Sequence, residues 1–216
     1  MTRKYKILIV DDHPLIRRGL SDLINRQADL EVCGEAADAD EAIRLVDSSS
    51  PDVAVIDMSL KSGHGLDLIG QIRLKNDRVR MLVSSMHDEL LFAERSLRAG
   101  AMGYVPKQEP AEKLLDAIRH VLRGQVYLTP RMSNRLLHCM VGGAPSGENP
   151  VAGLSDRELE VFEMIGQGMT TQQIAHSLEL SDKTIETHRE KIKHKLNLKN
   201  SAELGRAAVQ WVMENA

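Results

Sequence analysis

The chain has 216 residues, 42% of them hydrophobic, which is enough for a packed core and excludes wholesale disorder. A formal net charge of −3 excludes nucleic-acid binding through bulk charge, so any such contact must come from a local patch. No apolar run approaches the roughly 18 residues of a membrane span, the N-terminus leads straight into a strand pattern, and Cys33 and Cys139 stand apart without metal-ligand spacing. A reduced, cytoplasmic protein with no membrane partner is expected, both cysteines serving as small core residues.

Residues 5–125 alternate strand and helix patterns. Strands are predicted over 5–10, 31–36, 53–56, 80–85 and 103–106. Helices are predicted over 14–27, 39–48, 66–75, 89–99 and 112–123, the first with Leu15, Ile16, Leu20, Leu23 and Ile24 at helical spacing. Five such units in succession predict an α/β domain, a doubly wound five-stranded parallel sheet of the flavodoxin-like kind. The run Val53-Ala-Val-Ile56 reads as a strand buried on both faces, and it ends on Asp57, where open α/β sheets place their ligands. The run Ile7-Leu-Ile-Val10 ends likewise, on Asp11-Asp12. If the two strands are neighbours, three carboxylates share one pocket, which at neutral pH calls for a cation or raised pKa values. A hard divalent ion, Mg²⁺, is the expected answer. Taken singly, Asp12 could be only a helix cap.

The composition changes after residue 125. A helix is predicted over 130–141, and Gly142-Gly-Ala-Pro-Ser-Gly-Glu-Asn-Pro150 reads as a linker. From Leu154 on, four helices form a small all-α module: one capped by Ser155 with Glu158 completing a capping box, one over 171–178, one capped by Ser181 and running to about Leu196, and one over 201–215. The second and third have helix-turn-helix proportions. On the third, Thr184, Thr187, His188, Lys191 and Lys195 recur at helical spacing, while Ile185, Ile192 and Leu196 point elsewhere. Residues 182–199 hold six Lys/Arg against three Asp/Glu, although 151–216 as a whole hold eight against ten. That concentration favours a helix that reads double-stranded DNA over a merely solvated one. Lys183, Thr170 and Thr171 lie at helix starts suited to phosphate contacts. On the last helix, Leu204, Ala207, Ala208, Trp211 and Val212 form an apolar stripe. It either packs on its own module or leaves Trp211 and Val212 for a homodimer contact.

Residues 5–125 resemble the receiver domain of two-component response regulators through Ile9-Val-Asp-Asp-His-Pro14, Val55-Ile-Asp57, Ser85 and Lys107. Residues 154–211 resemble a LuxR-type helix-turn-helix through Leu154-Ser-Asp-Arg-Glu-Leu-Glu-Val161, Ile174-Ala175, Ser181-Asp-Lys-Thr-Ile-Glu-Thr-His-Arg189 and Lys195-Leu196. The chain is thus similar to the NarL/FixJ subfamily over nearly its whole length. The resemblance implies a receiver over 1–125, a linker with a helix over 126–153 and a DNA-binding domain over 154–216. It implies phosphorylation of Asp57 by a histidine kinase or a small acyl phosphate, with Mg²⁺ held by Asp11, Asp12, Asp57 and the Ser59 carbonyl. Lys107 and Ser85 would contact the phosphoryl oxygens, Tyr104 would follow the switch, and the phosphorylated protein would dimerise on DNA.

Three departures stand out: Lys61 where proline is common, Ser85 in place of threonine, and Gln172 where lysine is frequent. Pro106 before Lys107 favours a cis bond. Two alternatives stay open at this point: an interaction module that does not read DNA, and a Mg²⁺-dependent phosphohydrolase. The latter lacks an acid two residues past Asp57, where Ser59 stands. An enzyme is not expected.

Overall fold

A computed structural model describes residues 3–60, 64–87, 89–140 and 150–215. The chain divides into two compact units, Met1–Leu137 and His138–Ala216. Lys61 and all but Pro150 of the predicted linker lie outside the described residues.

The first unit alternates β1 (Tyr5–Val10), α1 (Pro14–Asn25), β2 (Leu30–Ala36), α2 (Ala39–Ser49), β3 (Val53–Ile56), α3 (Gly65–Lys75), β4 (Arg80–Ser85), α4 (Glu89–Ala99), β5 (Gly103–Pro106) and α5 (Ala111–Leu122). All five strands pair in parallel in the order β2-β1-β3-β4-β5. Strand order reverses beside β1, which creates a crevice at the C-terminal ends of β1 and β3. The apolar runs explain the layering: Ile7, Ile9, Val53, Val55 and Leu82 pack under Leu114, Ile118 and Val121 of α5 with Ile24 of α1. Leu15 departs from its expected place on the inner face of α1 and is 88% exposed. It follows Pro14 at the start of the helix.

After α5, Tyr127 lies along the edge of β5, its N–H donating to the Met102 carbonyl and its own carbonyl accepting from Tyr104 N–H. A further helix, α6 (Pro130–Met140), follows. The expectation of a cis bond before Pro106 is corrected: no cis peptide occurs among the described residues, and Pro106 ends β5 in register with Ser85 of β4. Cys33 is half-buried on β2 instead of in the core, and burial pushes its thiol pKa up.

The second unit contains a 3₁₀ turn at Pro150–Gly153, then α7 (Asp156–Gly166), α8 (Thr171–Ser177), α9 (Asp182–Lys195) and α10 (Ser201–Asn215). The caps explain the starts. Ser155 with Glu158 and Thr170 with Gln173 form capping boxes, and the Ser181 hydroxyl accepts from Thr184 N–H. Leu159, Phe162, Ile174, Ile185, Ile192, Leu204 and Ala208 are buried between the helices. Gly166 lets α10 approach closely, because a Cβ there would stand 2.5 Å from the Ala208 carbonyl oxygen.

Candidate functional site

The first site is built by backbone pairing at the strand ends. Asp11 N–H donates to the Ala36 carbonyl and Asp57 N–H to the Val10 carbonyl, which carries both carboxylates just past the sheet. Lys107 N–H donates to the Ser85 carbonyl, which brings the lysine to the same edge. Gly65, at the start of α3, has no Cβ to collide with the Asp57 carbonyl, so the helix abuts the segment after Asp57.

Lys107 Nζ donates to Asp57 Oδ2 at 2.6 Å and to Asp11 Oδ2 at 2.7 Å, while Asp57 Oδ1 accepts from Met58 N–H at 2.7 Å. Asp11 and Asp57 are 2% and 4% exposed, so their charges are shielded little by water. Burial pushes the Asp57 carboxyl up to about 6, against the pull of Lys107 and with Asp11 adding to the rise. Burial alone would lower Lys107, but the Asp57 and Asp11 carboxylates outweigh it and hold the ammonium above its ordinary value. Desolvation is thus what raises Asp57, while the two carboxylates keep Lys107 charged.

Ligand atoms of Asp11, Asp12, Asp57 and His13 all lie within 4.8 Å of one another. Three carboxylates form a hard oxygen set suited to a divalent cation. Sequence spacing does not single out His13, although it directly follows Asp11-Asp12 in the chain; its Nδ1 stands 2.6 Å from Asp12 Oδ1. Ser59 lies beside the cluster on the segment after Asp57, and its hydroxyl hydrogen-bonds His87 Nε2 at 2.9 Å.

His87 joins the neighbouring parts of the site. Its backbone N–H donates to Ser85 Oγ at 3.2 Å, and its carbonyl accepts from the Tyr104 hydroxyl at 2.8 Å. Ser85 and Tyr104 are both fully buried.

The second site is the α8–α9 pair. The outward face of α9 carries Lys183, Glu186, Thr187, Glu190, Lys191 and His194. Thr187, Lys191 and Lys195 of the expected face are exposed. Thr184 and His188 are half-buried, and Lys195 Nζ is held by Glu158 of α7 at 2.6 Å. Burial lowers the His188 pKa, and Arg157 and Lys191 lower it further. Thr170 caps α8, and the Thr171 hydroxyl donates to Glu186 at 2.8 Å, so neither hydroxyl is simply offered to solvent.

Of the two readings left open for the stripe on α10, packing on its own module describes Trp211. Leu204, Ala208 and Trp211 are buried, with the Trp211 ring 5.6 Å from that of Phe162, and Val212 is half-buried. The close approach at Gly166 explains this packing, since a Cβ there would also meet Val212. The exposed face of α10 instead presents Val209 and Met213 beside a groove of about 580 Å³ lined also by Gly205, Arg206 and Gln210.

Residues 7–119 match the response regulator receiver domain, and residues 152–208 match the luxR family of bacterial regulatory proteins. The chain is similar to the oxygen regulatory protein NreC of Staphylococcus carnosus, 39% identical over 204 residues that cover 92% of this chain and 94% of that one. Among solved structures it resembles a LuxR-family two-component response regulator from Aurantimonas, with 35% identity, a TM-score of 0.60, and 64% of this chain and 99% of that one covered. It also resembles Salmonella RcsB bound to the promoter P1flhDC with the phosphomimetic BeF3−, with 25% identity, a TM-score of 0.58, and 97% and 100% covered. The chain belongs to the LuxR-type response regulators, a receiver domain followed by a helix-turn-helix domain, and is a phosphorylation-controlled DNA-binding transcription regulator.

Proposed function

We propose that Asp57 is the phosphoacceptor, that a histidine kinase or small acyl phosphate supplies the phosphoryl group, and that α9 reads duplex DNA. The observation that carries this reading is the shared hold of Lys107 on Asp57 and Asp11 at the strand ends beside Asp12. In this reading residues 1–125 are the receiver, 126–153 the connection and 154–216 the DNA-binding part, all in the cytoplasm. No helix among the described residues is long and apolar enough to cross a membrane.

An Asp57 carboxylate oxygen attacks phosphorus as the bond to the donor's leaving group breaks, giving an aspartyl phosphate. Mg²⁺, held by Asp11, Asp12, Asp57 and the Ser59 carbonyl, would neutralise charge on the transferring group. Lys107 already lies on Asp57 and is placed to pair with a phosphoryl oxygen. The Ser85 hydroxyl, now accepting from His87 N–H, would turn to donate to another. Tyr104, bonded to the His87 carbonyl, would follow the loop. Uptake of radiolabelled phosphoryl group from acetyl phosphate, with and without chelator, tests the assignment.

Ser59 and His87, joined by a hydrogen bond of 2.9 Å, would both hold a water that attacks the aspartyl phosphate. Changing both residues to alanine should alter the decay rate of the phosphorylated form, read by loss of label over time. An unaltered rate would remove both from this role.

On α9, Lys183 stands exposed at the helix start and Thr187 one turn deeper. Lys183→Ala should weaken all duplexes similarly, whereas Thr187→Ala should relax preference at particular bases by about 1–3 kcal/mol. Binding to a set of single-base operator variants distinguishes the two. Equal losses on specific and random duplexes for both variants would refute the division. Thr170, Thr171, Thr184, His188, Lys191 and Lys195 belong to the same proposed surface in supporting places, Lys195 through its hold on Glu158.

A homodimer on paired half-sites fits this architecture. The exposed Val209 and Met213 offer it more free apolar surface than Trp211. Met213→Glu should weaken binding to a two-half-site duplex and spare a single half-site, as measured by gel shift. Unchanged binding to both would move the contact off α10.

A further inference from the structure

We propose that a buried hydrogen bond between Glu89 and Thr129 is the latch through which the phosphoacceptor pocket acts on α6, the helix that runs in sequence toward the second unit. The inference rests on the reading of Asp57 as phosphoacceptor.

Glu89 is the first residue of α4 and is 7% exposed. Both of its carboxylate oxygens lie against the Thr129 hydroxyl, at 2.6 and 2.7 Å, and Thr129 is itself buried. The hydroxyl has one hydrogen, shared between the two oxygens. Among the described residues no cationic side chain pairs with Glu89, and the Thr129 hydroxyl is the donor that meets its buried carboxylate. The same oxygen of Thr129 accepts from Met132 N–H at 3.3 Å, and the Thr129 carbonyl accepts from Ser133 N–H at 3.0 Å. Thr129 therefore both caps α6 and fastens it to α4. Met132, one turn on, is fully buried.

The two anchors of this segment are the elements that move in the proposed switch. Tyr127 accepts from Tyr104 N–H on β5, and the Tyr104 hydroxyl donates to the His87 carbonyl. His87 N–H is held by Ser85 Oγ, and Glu89 follows two residues later. When the Ser85 hydroxyl turns to a phosphoryl oxygen it leaves His87 N–H, the loop shifts, and Glu89 shifts with it. The Thr129 hydroxyl must then follow or let go, and in either case the first turn of α6 changes. A carboxylate left buried without its donor is costly, so the two events are tied.

The test uses the full chain, acetyl phosphate with Mg²⁺, and a duplex selected by the parent protein from a random pool. Phosphoryl uptake, DNA affinity with and without phosphorylation, and amide exchange over residues 130–137 are each measured. Thr129→Val keeps the shape and removes the hydroxyl; Thr129→Ser restores it. The parent's affinity should change on phosphorylation by a factor within the usual coupling range of about 5–150. In Thr129→Val uptake should persist, α6 should exchange faster, and the factor should fall at least about threefold, toward one. Thr129→Ser should recover most of it, and Glu89→Ala should repeat the valine result. Uptake with an unchanged factor in Thr129→Val overturns the latch, as does a factor of one in the parent. Absence of uptake by the parent overturns the reading of Asp57 instead.

Discussion

Asp57→Asn should take up no phosphoryl group from acetyl phosphate, under conditions in which the parent is labelled and in which chelation of Mg²⁺ abolishes labelling of the parent. The amide has nearly the shape of the carboxylate and still accepts a hydrogen bond, so the fold should survive. It lacks the anionic oxygen that would attack phosphorus. The pocket offers no substitute of equal placement. Asp11 is buried against Lys107 and held by His13 N–H, and Asp12 lies against the His13 ring without direct contact to Lys107 among the described hydrogen bonds. The expected loss is therefore complete within detection. Labelling of the asparagine variant at the parental level would move the phosphoacceptor elsewhere.

The same substitution should stabilise the metal-free protein at neutral pH. Burial raises the Asp57 carboxyl from 3.8 to about 6. Between these values the native state binds more protons at this group than the unfolded chain does. Stability from this group is thus present below about pH 3.8 and declines as pH rises, being lost above about 6. At 1.36 kcal/mol per pH unit, this amounts to a native-state cost of about 3 kcal/mol at pH 7.5, an order-of-magnitude figure. The asparagine side chain of the variant cannot ionise, and Lys107 keeps Asp11 as its partner. Urea unfolding in EDTA should show the variant more stable than the parent by roughly 2–3 kcal/mol at pH 7.5, with the gap closing toward pH 4. Added Mg²⁺ should stabilise the parent and narrow the gap, because a cation bound to the native state lowers its free energy. Equal stabilities in EDTA at pH 7.5 would show that the pocket's charge is not strained.

Much of the first unit is legible in the sequence because its signals are local. Val53–Ile56 is a short run apolar on both faces and ends on Asp57, and the β1 run ends on Asp11-Asp12, so the meeting of carboxylates follows from two neighbouring parallel strands. Capping boxes announce α7 through Ser155 and Glu158 in the same local way. What the sequence hides depends on partners far along the chain. Glu89 and Thr129 are 40 residues apart, and no periodicity links a helix-start glutamate to a threonine before a proline. The exposed face of α9 only partly coincides with the one helical spacing groups, because spacing cannot foresee that Glu158 of another helix holds Lys195 or that burial takes in His188. Trp211 looks available in the sequence because a stripe on one helix does not reveal the missing Cβ of Gly166 on the helix opposite. His13 escapes notice as a member of the acidic cluster, although its place next to Asp12 is visible.

Phosphorylation at Asp57 controlling the DNA affinity of the whole chain is the central claim, and one titration addresses it directly. The full-length parent and Asp57→Asn are each titrated with a fluorescent duplex, selected by the phosphorylated parent from a random pool, in Mg²⁺ with and without acetyl phosphate. The parent's dissociation constant should fall by about 5–150-fold on adding acetyl phosphate, while that of Asp57→Asn stays at its unphosphorylated value. An equal response in both proteins, or none in a parent that has taken up label, would contradict the account.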